Sequence, residues 1–271
     1  MSSETENSSP GKDSLLSIIK TTTDAKSRED NDDNDLIGEL SWILANSFVR
    51  THVHSALGYN ATELYSSTNS VISKAVNKAE SLLYYVRYEP VDKLQAQSSS
   101  EDPKYKYINR IIAVNLRQDH FDVIGIADLS RDKKFEIIVS LIKAGHDIYK
   151  NYLEKSITDK IKLEYLLTNK HQILYLSVGC VLPEFYDQGV YTWFRPLVME
   201  HIQSRYHFKR AYGISLSPAS THVLQKDGYK CIGKISAKMF ECPEKSENYP
   251  FTNMVEGQDE VSILEKIFVH E

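Results

Sequence analysis

The stretch from Ile173 to Tyr229 constrains the fold of this chain more than any other. HQILYLSVGCVLP has the apolar, β-branched composition of a buried strand. A turn containing Gly189 follows, then a helix over DQGVYTWFRPLVMEHIQ, a second strand KRAYGIS and a short helix PASTHVLQKD. A helix entered from a strand through a tight glycine turn has its first amides unpaired, at the positive end of its dipole. Such a helix start suits an anion, for example a pyrophosphate. Ordinary strand-to-helix links share this geometry, so the turn alone leaves a purely structural role open.

The flanking sequence supplies partners for these elements. SLLSIIKTTT (Ser14–Thr23) reads as a first strand. Leu36, Leu40, Ile43, Leu44 and Phe48 fall at helical spacing, as do Leu64, Val71, Ile72, Ala75, Val76 and Ala79. Asn60 and Glu63 are spaced as a capping box ahead of the second set. Strands are expected over Leu82–Tyr88 and Lys106–Arg117, with the polar loop EPVDKLQAQSSSEDP between them. Lys133–Glu154 returns to a helical period, and KCIGKISAKMFE and VSILEKIFVH read as the closing strands. The alternation implies a mixed sheet with helices on both faces.

Charge and composition exclude several classes. The net charge is −5, and residues 1–35 carry nine acids against four bases, which leaves the remainder balanced. A neutral body argues against a nucleic-acid partner. Residues 1–13 read as disordered and the acidic run Asp24–Asp35 as a solvated loop. No apolar run is long enough for a membrane span, and MSSETENSSPGKDSLL lacks a basic-then-apolar leader. Cys180, Cys231 and Cys242 are too few and scattered for a disulfide framework or a zinc site. A reducing cytoplasm is the expected location. Cys180 reads as a small buried hydrophobe. His52 and His54 form a His-x-His pair without a third metal ligand, for which a surface or helix-end role is the alternative. Tyr59, Tyr65, Tyr84 and Tyr85 can be drawn into an aryl-lined pocket, although tyrosines serve equally in strands and interfaces.

Two motifs carry a resemblance. Val181-x-Pro183-x-Phe185-x-x-x-Gly189 after a strand, then a second strand and Ser220-x-x-Val223-Leu224-x-Lys226-x-Gly228-Tyr229, resemble the GNAT acyltransferases. Ala45-Asn46-Ser47-Phe48, Ala56-Leu57-Gly58 and the long helix ahead of Ile173 are similar to the arylalkylamine N-acetyltransferase-like branch. The likeness covers roughly residues 36–240 in order. It implies acetyl-CoA as co-substrate, held between two splayed parallel strands. Its pyrophosphate would lie on Tyr186, Asp187, Gln188, Gly189, Val190 and Tyr191, and its pantetheine arm on the backbone of Cys180 and Val181. The turn is degenerate: of the family positions falling on Tyr186, Gly189 and Tyr191, only Gly189 matches. Tyr191 replaces a small residue, and it either blocks the phosphates or swings outward. Pro196 removes a further donor from the following helix.

For catalysis the resemblance implies direct attack of an amine on the thioester. The family tyrosine acid falls on Leu224, which has no proton to give. Ser220 falls where the branch uses a serine and Ser217 sits three residues earlier; both hydroxyls can line the thioester site, with helix capping as their alternative role. Ser217 also falls at a pantetheine-binding position. The branch's glutamate base and its proline fall on Thr51 and His52, and His52 is a candidate replacement base.

The expected architecture is therefore a GNAT-like α/β (α+β) fold. It has a mixed, mostly antiparallel sheet of six to seven strands with helices on both faces. Residues 1–13 are a disordered head and 14–271 a single domain, with an acidic loop over 24–35, a polar loop over 89–104 and a helical insertion over 133–168. The expected function is N-acetyl transfer from acetyl-CoA to a small arylalkylamine or similar primary amine, with no metal, nucleic-acid or membrane partner. A catalytically inactive GNAT-fold binding protein is the alternative.

Overall fold

The computed structural model describes residues 16–21, 30–78, 82–88, 110–123, 133–242 and 250–268. The elements in order are β1 (Leu16–Thr21), α1 (Asp30–Phe48), α2 (His52–Ala56), α3 (Ala61–Val76), β2 (Leu82–Tyr88) and β3 (Ile111–Asp119). Next come α4 (Lys133–Ser156), α5 (Lys160–Thr168), β4 (Ile173–Val181), α6 (Val190–Tyr206) and β5 (Arg210–Ser215). The last are α7 (Pro218–Lys226), β6 (Lys230–Ser236) and β7 (Glu260–Ile267). The head over 1–13 and the polar loop over 89–104 lie outside the described residues. The acidic run expected as a loop is helical from Asp30 onward. Acids in the first turns of a helix face the positive end of its dipole, which favours helix over loop there.

The sheet has seven strands in the order β1-β2-β3-β4-β5-β7-β6, and only β4 and β5 run parallel. The capping box at α3 forms as its spacing implies. Asn60 Oδ1 accepts the Glu63 amide and Glu63 Oε2 accepts the Asn60 amide, both at 3.0 Å. On one face, α1 and α3 bury Leu40, Leu44 and Ile72 against Leu83, Tyr85 and Val114. On that same face α4 packs Tyr149 and Leu153 against Tyr175, Tyr212 and Ile263. The opposite face is covered by α6, through Phe194, Val198 and Ile202 on Leu82, Tyr84 and Leu174. A buried ion pair joins α6 to the end of α7: Arg195 bonds Asp227 and lies 5.0 Å above the Tyr229 ring.

The parallel pair is short. Only Ile173–Leu176 pair with Arg210–Gly213. Beyond them β4 runs on to Val181 against β3, and β5 to Ser215 against β7, so the two strands part. A bulge marks the fork: Leu116 faces Val178 and Gln118 faces Tyr175, two residues of β3 against three of β4. A bulge bends its strand and sharpens the twist. It also puts Tyr175 and Val178, three residues apart, on the same face of the sheet.

Candidate active site

The fork between β4 and β5 opens into a cavity of about 910 Å³, large for a small-molecule site. The cavity crosses the sheet. Tyr191 and Val223 wall it on the α6 face, and Leu44, His52 and Ile138 on the α1 and α4 face.

Its α6 side begins with a left-handed turn. Asp187 has φ 61° and Gly189 φ 71°; aspartate is among the few side chains that accept this region. Gly189 is the N-cap of α6, and no atom lies within 4 Å of where its Cβ would stand. The first amides of α6 therefore lie beside open space without intrahelical partners. Val190 lines the cavity and tucks into the core. Gln188 does not contribute its side chain, because its Nε2 donates to Glu184 O at 2.9 Å on the outer surface.

Tyr191 lies over the strand: a Cβ at Gly179 would stand 2.7 Å from its Cζ. Tyr186 sits half exposed at the mouth, and partial burial raises its pKa. Ser47 Oγ donates to Val181 O at 2.9 Å, which engages one lone pair of that carbonyl. The Cys180 side chain packs toward α1 and burial pushes its thiol up to about 12, so only its backbone is available for binding.

Across the fork stands a cluster of hydroxyls. Ser217 caps α7, its Oγ accepting the Ser220 amide at 3.2 Å. Ser220 Oγ bonds Ser215 Oγ and, at 2.8 Å, Ser217 Oγ, while Thr221 Oγ1 donates to Ser215 Oγ at 2.9 Å. Ser217 thus caps the helix and lines the cavity at once, and Ser220 lines it beside that cap.

On the other face His52 is half-buried in the wall. His54 is not a surface residue: it is 2% exposed and stacks on Phe48 with centroids 5.1 Å apart. Thr51 Oγ1 lies 2.9 Å from Phe48 O and 2.6 Å from His54 Nδ1, so the hydroxyl and the imidazole share one hydrogen-bonded corner. Burial lowers the pKa of His54 to about 4. The tyrosine pocket expected from Tyr59, Tyr65, Tyr84 and Tyr85 does not form. Tyr59, Tyr84 and Tyr85 are core residues and Tyr65 packs edge-on to Trp42. Phe48, Phe135 and Tyr175 supply the aromatic wall instead.

At the root of the fork lie residues the sequence reading missed. Gln118 Nε2 donates to Ser177 Oγ at 2.8 Å, and Arg117 Nη1 donates to Val178 O at 3.1 Å. The signal was there: IIAVNLRQD follows its apolar run Ile111–Val114 with an asparagine and an arginine either side of Leu116.

No protein-family model matches the sequence, and comparison with curated proteins finds no match either. Solved structures do match. The C-terminal condensation domain of Ebony, in complex with β-alanyl-dopamine, superposes with a TM-score of 0.61 at 14% identity. That match covers 94% of this chain and 100% of the other. Arylalkylamine N-acetyltransferase 2 from Aedes aegypti gives 0.58 at 12% identity over 93% of this chain and 98% of the other. The Drosophila melanogaster polyamine N-acetyltransferase gives 0.57 at 11% identity over 94% and 100%. The chain has the GNAT acyltransferase fold. In this GNAT-fold chain the splayed strands are β4 and β5, and α6 starts at the glycine turn. Leu224, expected at the family's acid position, packs in the core beneath α6. Thr51, expected at the branch's glutamate position, has its hydroxyl within hydrogen-bond distance of Phe48 O.

Proposed function

We propose that this protein transfers an acetyl group from acetyl-CoA to the amine of a small, partly aromatic acceptor. The observation that carries the reading is the cavity crossing the sheet at the fork. It offers a donor the α6 face and an acceptor the opposite face, with the two meeting between the strands.

The residues present fit a CoA thioester. Its pyrophosphate would take the first amides of α6 at Gly189, Val190 and Tyr191, with Tyr186 and Asp187 beside it. Its arm would run along the β4 edge at Gly179, Cys180 and Val181, which β5 leaves unpaired. Tyr191 must lift from Gly179 for the arm to lie flat. The acceptor would enter among Phe48, Phe135 and Tyr175, whose aromatic faces favour an aryl group.

The chemistry follows from the groups at hand. His52 takes the surplus proton of the ammonium. The amine nitrogen then attacks the thioester carbonyl, forming the C–N bond as the C–S bond breaks. Ser217 and Ser220 donate toward the developing oxyanion and pass the second nitrogen proton to the leaving sulfur. That sulfur is a weak base, with a thiol pKa of about 8.5, so the loss of a tyrosine acid at Leu224 is tolerable. Leu224 also supports the second reading, a GNAT-fold binding protein without turnover.

Calorimetry with acetyl-CoA, followed by acetylation assays across aryl and alkyl amines, tests both. Binding with turnover supports the transferase, and binding without turnover supports the second reading. Absence of binding at millimolar ligand defeats the transferase and leaves the second reading, whose partner need not be CoA.

A further inference from the structure

Arg117 is 2% exposed and lies in the cavity wall beside the β4 bulge, between the Leu116–Val178 and Gln118–Tyr175 pairs. Its Nη1 donates to Val178 O at 3.1 Å and Leu116 O at 3.3 Å. Its Nε and Nη2 are buried with no hydrogen-bond partner among the described residues. These two nitrogens form the side-on edge of the guanidinium, the fork that grips a carboxylate through two parallel bonds. Asn115, two residues earlier on the same face of β3, is fully buried and neither atom of its amide is bonded.

Buried charges are normally paired and buried amides normally hydrogen-bonded. Arg195, equally buried on α6, obeys the rule through Asp227; among the described residues Arg117 has no such acid. Among the described residues the only carboxylate in the cavity wall is Asp187, out at the left-handed turn. Donors also outnumber acceptors among the unmet groups at Arg117 and Asn115, so the site is short of an anion.

We propose that Arg117 receives a carboxylate of the substrate at the root of the β4–β5 fork, with Asn115 supporting it. The ligand's identity rests on the acyl-transfer reading above. Two sources carry this chemistry: the end of a dicarboxylic acyl chain on the donor, or the carboxyl group of an amino-acid-like acceptor.

Calorimetry on the full chain separates them. One arm compares succinyl-CoA with butyryl-CoA, which have acyl chains of equal length, with acetyl-CoA as reference. The other compares tyrosine with tyramine in the presence of desulfo-CoA. A preference of about tenfold for succinyl-CoA assigns the carboxylate to the donor, and the same preference for tyrosine assigns it to the acceptor. Arg117→Met brings the preferred ratio to about one, and Arg117→Lys, which keeps the charge but loses the fork, brings it part of the way. The melting temperature of Arg117→Met holds or rises, because a buried unpaired cation is removed. Ratios near one in the native protein overturn the proposal. So does a lowered melting temperature with the ratio unchanged, which would make Arg117 only a prop for the Val178 carbonyl. If acetyl-CoA also fails to bind, the acyl-transfer reading itself falls, and the reference arm identifies that failure.

Discussion

The ring of Tyr191 rests on the backbone of Gly179, with Cζ 2.7 Å and Cε2 2.9 Å from where a side chain at 179 would begin. The glycine is thus the space in which the tyrosine lies. Gly179→Ala is expected to push the ring off β4 at a cost of about 1–3 kcal/mol. In a Tyr191→Ala background the same change should cost less than about 0.5 kcal/mol. A double-mutant cycle by urea unfolding measures the difference.

Tyr191 also lies along the edge of β4 that a CoA arm would follow. A donor must bind the conformer with the ring lifted, and its apparent affinity is reduced by that conformer's small population. Tyr191→Gly is expected to tighten acetyl-CoA binding by up to about tenfold, measured by calorimetry. Weaker binding in the variant would show that the ring supports the donor.

Ser217 and Ser220 both face the fork, and Ser217 in addition caps α7. Ser217 caps α7, so Ser217→Ala should lower stability by about 1 kcal/mol. Ser220 sends its hydroxyl into the cluster facing the fork, so Ser220→Ala should lower kcat by about a hundredfold while the unfolding midpoint moves little. Steady-state kinetics beside thermal unfolding of both variants checks the division.

Burial keeps His54 and His146 neutral, each with its pKa lowered to about 4. In the unfolded chain a histidine protonates near 6.5. Between those values the unfolded state binds more protons, so stability falls as pH drops from about 6.5 toward 4 and is insensitive to these groups above it. His54, fully buried, accounts for up to about 3 kcal/mol of that loss. Unfolding midpoints from pH 7.5 to 4.5 should fall in the native protein and fall less in His54→Asn.

Local rules made most of the fold legible. The capping residues Asn60 and Glu63, the apolar period through Phe135, Leu141 and Tyr149, and the glycine turn at 189 each specify structure within a few residues. The site was legible where it depends on chain order, since Gly189, Ser217 and Ser220 all reach the cavity wall. It was illegible where it depends on contacts between distant segments. Nothing near Tyr191 in sequence shows that its ring finds Gly179. Arg117 was passed over as the end of a strand, and its lack of an acid partner among the described residues is a property of the assembled sheet. The acidic segment misled for a different reason: solvation and the helix dipole both act on Asp30–Asp35, and the helix prevailed.

Four residue pairs, Ile173–Leu176 with Arg210–Gly213, extended by Gln172 O accepting the Lys209 and Arg210 amides, join the β1–β4 ribbon to the β5–β7–β6 ribbon. Mechanically this seam is a hinge line, and the cavity is the wedge of space on its open side. A ligand touching Gly189 and the β4 edge on one ribbon and Ser217 or Ser220 on the other acts as a clasp across the hinge. Occupancy would then stiffen both halves of the molecule together, including strands that no ligand atom touches.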